Sequence, residues 1–343
     1  MNYTTSAPFL TWSPDNTADR TCGSICFLLF LIGTLGNIVS FLYFKFKSKR
    51  RDISSVIYQI ITANDTVISL TILPVGISYW SRRDPGPLFG NRYGCAAWVY
   101  LWEISVSLSV FLVTCLSITR TISLLVPFMQ QKVRYLTMAV LIYSGLMLGR
   151  TIILHTLEDI EILFSVDFLQ CGLFLTGRPN PAVLLCLLVS RNIAYTVPAF
   201  VVAISCVISA VLLTRRNKQV QGRELQQSRN RATVTILLFA LLYGVCNLPL
   251  VVDLILRTHS MRVMDAEWYF NIYAFDKKYY YRTITTTLLL AANSAANPIL
   301  YFLRMPHLRG VIVTRCKQIL GLNRVVALPT SMGHTEISSR PGQ

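Results

Sequence analysis

Charge is scarce in this chain. Charged residues make up 14% of its 343 positions, where a soluble globular domain carries about 25%. Acidic residues are the scarcer sign, 16 Asp and Glu against 32 Lys and Arg. With a mean hydropathy of +0.50, this shortfall excludes an ordinary soluble domain and points to lipid as the main solvent. Histidine is rarer still, at four residues. None lies deep in an apolar run beside an acid and a nucleophile, so an enzyme has no candidate catalytic set and none is expected. Nine cysteines are too few and too scattered for a disulfide-rich scaffold, and neither a CxxC pair nor a Cys/His cluster with zinc spacing occurs. Residues 1–20 contain Pro8, Pro14, Asp15 and Asp19 and lack the apolar core of a secretory signal. No internal repeat marks an inverted-repeat transporter, and the intramembrane charges are too few to trace a channel from end to end.

What the chain does have is apolar runs. A bilayer core of roughly 30 Å needs about 20 apolar residues in helix. Seven runs qualify, at about 22–46, 54–80, 95–124, 133–157, 183–214, 233–257 and 282–303. Lipid offers no partner to free backbone groups, so each must be helical. The expected fold is an all-α membrane protein, a seven-transmembrane helix bundle over 22–303. A segment 1–21 precedes it, and 304–343 follow as a helix and polar tail. The net charge of +16 falls in the connecting segments and gives no nucleic-acid signature. One side carries Lys45, Lys47, Lys49, Arg50, Arg51, Arg120, Lys132, Arg134, Arg215, Arg216, Lys218, Arg223, Arg229, Arg231, Arg304, Arg309, Arg315, Lys317, Arg324 and Arg340. Its acids are Asp52, Glu224 and Glu336. The other side balances its charges. The asymmetry predicts an N-terminus outside and a C-terminus inside. That orientation suits the glycosylation sequon at Asn2.

Polar groups inside the runs are functional hypotheses by default. Asp65 lies mid-run in the second span. Asn37, Ser109, Asn293, Ser294 and Asn297 fall at similar depths, and together they form a polar pocket for water or a sodium ion. The alternative is a hydrogen-bond network without an ion. Arg120 follows Cys95 by about 37 Å of helix, one membrane crossing. Cys95 therefore sits at the outer end of the third span, and Cys171 in an outer loop. A disulfide between them fits that oxidising side, with two free thiols as the alternative. Pro198, Pro249 and Pro298 lie inside spans and predict kinks.

These residues together resemble the rhodopsin-like class of G-protein-coupled receptors over about residues 22–305. The resemblance rests on Gly36-Asn37, Ala63-Asn64-Asp65, Cys95, Arg120, Pro127, Cys171 and Pro198. It rests also on Cys246-Asn247-Leu248-Pro249 and on Asn297-Pro298-Ile299-Leu300-Tyr301. It implies a plasma-membrane receptor that passes an extracellular signal to a heterotrimeric G protein, with arrestin a further partner. The switch would run through Arg120, Pro249, Asn297, Pro298 and Tyr301. A short amphipathic helix over about 302–317 would lie on membrane lipid, with Cys316 as a palmitoylation site. Several positions depart from the family pattern. Thr119-Arg120-Thr121 lacks the acid beside the Arg, and Arg229 stands where an acid is usual. Both predict a weakened inactive-state lock and raised basal activity. Asn247 replaces a Trp, Cys206 a Tyr, and Tyr143 stands near a missing Trp.

For the ligand, Trp102 at the position of the aminergic Asp argues against a biogenic amine. Ala291 at the position of the retinal Lys excludes an opsin. The ligand contacts read from the sequence are Trp102, Glu103, Arg191, Asn192, Asn247, Asp253 and Arg257. An acidic outer loop of Glu158, Asp159, Glu161 and Asp167 accompanies them. Aromatics and charges together suit a peptide, and the loop favours a basic one. The alternatives are a structural Glu103–Arg191 pair and a merely solvated loop. A chemosensory receptor for a small molecule is the second reading.

Overall fold

The computed structural model describes residues 16–47, 53–81, 92–126, 160–165, 170–175, 181–217 and 277–319, together with parts of 135–149 and 234–256. The long helices are α1 (Asn16–Lys47), α2 (Ile53–Ser81), α3 (Arg92–Leu125) and α5 (Pro181–Asn217). Each contains a stretch long and apolar enough to cross a membrane. Helix α4 is described over Met138–Met147 and α6 over Ala240–Leu256. Helix α7 (Lys277–Arg304) is more polar than the others. Every expected span thus contains a described helix, and the fold is a helical membrane bundle. One addition to it is a two-stranded antiparallel hairpin, β1 (Ile160–Ser165) and β2 (Gln170–Leu175), packed against α3. A proline inside α2, Pro74, joins Pro198 and Pro298 as a fourth intrahelical proline beside Pro249.

The packing is inverted relative to a soluble protein. Large apolar side chains such as Leu35, Phe46, Trp80, Val207 and Leu248 face outward, while Asn37, Thr62, Asp65, Ser69, Ser107 and Ser294 are buried. Lipid explains the first set, and interhelical polar contacts the second. Many buried hydroxyls satisfy themselves on the preceding turn: Ser40 donates to Gly36 O, Ser69 to Asp65 O and Thr114 to Val110 O. They add small, hydrogen-bonded surface without an orphaned donor.

Small residues set how closely the helices approach. A Cβ on Gly33 of α1 would meet the Ser69 side chain of α2, and one on Gly36 would lie 2.6 Å from Cβ of Pro298 in α7. Two apolar clusters flank the polar centre. One joins Cys26, Ile72, Tyr79, Trp98 and Ile284. The other joins Val110, Tyr195, Tyr243, Leu250, Leu254 and Leu290. Half-buried Trp102 packs against both.

The bundle unit ends at Arg304, and residues 305–343 form a second unit. Its helix α8 (Pro306–Ile319) opens on a proline, whose missing N–H costs nothing in a first turn. Arg309 N–H donates to Met305 O at 3.1 Å. The helix begins later than the 302 read from the sequence, because α7 runs on to Arg304.

Candidate functional site

Asp65 is fully buried in α2. Its Oδ2 accepts a 2.6 Å hydrogen bond from Nδ2 of Asn297 in α7. Ser294, one turn earlier on α7, interacts with the same carboxylate, although its Oγ and the Asp65 Oδ1 stand outside hydrogen-bonding geometry. Asn37 of α1 donates to Ser294 O at 3.1 Å, so that α1 and α2 are each bonded to α7. Its Oδ1 is also buried without a hydrogen-bond partner. Ser109 and Asn293 are buried too. Three unsatisfied oxygens, one of them the carboxylate's own Oδ1, suit a hard cation or water, since such cations take oxygen ligands.

Below this centre, where α1 and α7 end, Tyr301 is wholly buried. It meets Phe44 and Tyr58 edge-on at 5.3 and 5.5 Å, and those two rings stack on each other. Pro298 is buried against Gly36. On the other side of the bundle, α3 and α5 run side by side. Ser107 and Tyr195 hydroxyls meet at 3.0 Å, and so do those of Thr121 and Ser209. Both pairs are separated by 88 positions in sequence. The two bonds therefore lie about four helical turns apart on the same pair of faces. Thr121 Oγ1 also reaches Ser205 O at 3.2 Å.

At the opposite end, where α7 begins, five helices contribute contacts. Trp102 of α3 stacks on Trp98, whose indole N–H donates to Thr71 O of α2 at 2.7 Å. Asn192 of α5 donates to Leu254 O of α6 at 3.3 Å. Beside Leu254, Asp253 accepts from Arg282 of α7 in a 3.0 Å ion pair. Glu103 is half-buried. Asn247 is buried and donates to Tyr243 O of its own helix at 2.9 Å. Pro249 is half-buried one turn below Asp253. Cys95 opens this end of α3 and is disulfide-bonded, which removes the free-thiol alternative for that residue. Cys171 sits in β2 opposite Phe164.

Asn2, Arg257, Pro127, Arg229, Glu158, Asp159 and Asp167 lie outside the described residues, as do the side chains of Arg120, Glu161, Cys171, Arg191 and Cys316. Sequence reasoning missed Arg282, the Thr121–Ser209 and Ser107–Tyr195 bonds, and the Phe44–Tyr58–Tyr301 cluster. Arg282 had one available signal: it is a basic residue near the start of an apolar span, facing an acid near the end of the preceding one. The hydroxyl pairs had none, because Ser and Thr are common throughout these helices.

Residues 36–301 match the family model described as 7 transmembrane receptor (rhodopsin family). Among curated proteins, none matches the chain.

Proposed function

Since the chain belongs to the rhodopsin family of seven-transmembrane receptors, we propose that this multi-pass membrane receptor carries a peptide signal, most simply a neuropeptide, to a heterotrimeric G protein. The family match across nearly the whole bundle carries the reading. The surplus of Lys and Arg beside the ends of α1, α3, α5 and α7 supports placing those ends inside the cell and the N-terminus outside, at the plasma membrane. On that orientation the Trp102, Glu103, Asn192 and Asp253 cluster opens outward, and Arg120, Thr121 and Tyr301 lie at the inner end. Ligand contacts there would include Arg191, Asn247 and Arg257. The acidic residues of the β1–β2 region would draw in a basic peptide. A chemosensory receptor for a small molecule is the second reading, favoured by the stack of half-buried Trp102 on buried Trp98. No enzymatic role is proposed.

Asp65, Ser294, Asn37, Ser109, Asn293 and Asn297 would hold an allosteric sodium ion, which supplies a positive charge to the carboxylate when bound. Cys171 is the proposed partner of Cys95. Asn2 glycosylation, Cys316 palmitoylation, contact of α8 with membrane lipid and arrestin binding belong to the same reading. The deciding experiment measures nucleotide exchange on purified G protein by the receptor in nanodiscs, challenged with a peptide library and a small-molecule library. Exchange driven by peptides supports the first reading, exchange driven by small molecules the second. No exchange above empty nanodiscs with either library refutes G-protein coupling.

A further inference from the structure

Arg282 enters none of the ligand contacts above, yet it is the charged group that the α6–α7 pair presents. Asp253 has a side chain only 5% exposed, whereas that of Arg282 is 38% exposed. The pair is a single contact, Nη1 to Oδ1 at 3.0 Å. A guanidinium has five N–H donors arranged as a fork that matches a carboxylate. We propose that Arg282, held in place by Asp253, is the anion-recognising residue of the outer cavity and takes a carboxylate of the ligand. This rests on the peptide-receptor reading and adds to it the chemical class of the group that docks between α6 and α7.

The ion pair itself favours an anion over a cation here. A cationic ligand group could reach Asp253 only by displacing a guanidinium already bound to it, and would leave that guanidinium unpaired. A carboxylate adds to Arg282 without displacing anything, and Asp253 has already ordered the side chain. The pair is also braced, because the Asn192 bond to Leu254 O fixes α6 at the residue next to Asp253. Trp102 and Leu254 in the adjoining apolar cluster supply a greasy wall. The fitting ligand therefore carries a free carboxylate that reaches Arg282.

The test uses two probes of one shape, N-acetyl-L-phenylalanine and N-acetyl-L-phenylalaninamide, titrated against the full-length receptor in nanodiscs and read as the rise in melting midpoint. The acid should bind at least about tenfold more tightly than the amide, the preference a charge-assisted hydrogen bond supplies. In Arg282→Gln that ratio should fall to about one. Arg282→Lys, which keeps the charge and loses the fork, should retain a preference of a few-fold, and it decides the matter should the Gln variant not fold. Equal binding of acid and amide by the wild type, an undiminished preference in Arg282→Gln, or no stabilisation by either probe overturns the proposal. The readout needs no G protein, so a receptor that fails to drive nucleotide exchange yet prefers the acid would keep the anion site and lose only the signalling role.

Discussion

Asn297 Nδ2 donates to Asp65 Oδ2 at 2.6 Å, joining α7 to α2 across 232 positions of sequence. The bond uses one carboxylate oxygen; Asp65 Oδ1, Ser294 Oγ and Asn37 Oδ1 are buried without hydrogen-bond partners. A buried carboxylate is tolerated only when compensated, and on the proposed reading a cation would supply that compensation.

Sodium should therefore stabilise the ligand-free receptor. Binding at 100 times the dissociation constant adds about 2.7 kcal/mol. The melting midpoint should rise in sodium chloride relative to N-methylglucamine chloride at equal ionic strength, and Asp65→Asn should abolish the difference. An equal response in the wild type and Asp65→Asn would assign the polar centre to water and hydrogen bonds alone.

The close approach of α1 to α7 depends on Gly36. An alanine there would press on the rigid ring of Pro298, so Gly36→Ala should cost about 1–3 kcal/mol through overpacking and lower both the melting midpoint and surface expression. Gly244 in α6 has no described atom within 4 Å of an added Cβ. Gly244→Ala should be neutral or stabilise by up to about 1 kcal/mol, the helix-propensity gain. Similar losses in both variants would contradict the packing.

Thr121 and Ser209 tie the C-terminal parts of α3 and α5. Thr121→Val keeps the volume and loses the hydroxyl; Ser209→Ala does the same for its partner. In a double-mutant cycle on thermal stability the two should couple by about 0.5–1.5 kcal/mol, the net value of one hydrogen bond. The wild type, lacking an acid at Thr119, should show ligand-free signalling above an empty vector at matched surface expression. Thr121→Val should raise it further as α3 and α5 loosen. Additive stability effects would remove the tie, and silent basal signalling would remove the weakened lock.

Cys95 is disulfide-bonded. Cys95→Ser should cost about 2–5 kcal/mol. If Cys171 is the partner, Cys171→Ser should cost the same, and the double variant no more than either alone. Losses that add would place the partner elsewhere.

The bundle was legible because lipid imposes a coarse rule: about 20 apolar residues in helix for each crossing. Runs such as 22–46 and 95–124 announce α1 and α3 without reference to any other part of the chain. Asp65 was legible for the same reason, as a charge where solvent is lipid. The α8 start was misread by a few residues, because nothing local stops α7 before Pro306. The hairpin β1–β2 was missed because its two six-residue strands, mostly apolar with one acid, Glu161, show no clear alternation, and its strands pack against α3.

Local sequence by itself determined which segments enter the membrane, which residues among them are anomalously polar, and which connections are basic. Those properties follow from each segment's own transfer free energy between water and lipid. Tertiary structure alone decided which polar groups meet: that Asp65 bonds Asn297, that Thr121 finds Ser209, and that Asp253 holds Arg282 rather than standing open. Those pairings depend on the rotation and depth of each helix against its neighbours. In lipid these are set by small residues, such as Gly33 and Gly36, and by interhelical hydrogen bonds, neither of which has a one-dimensional signal.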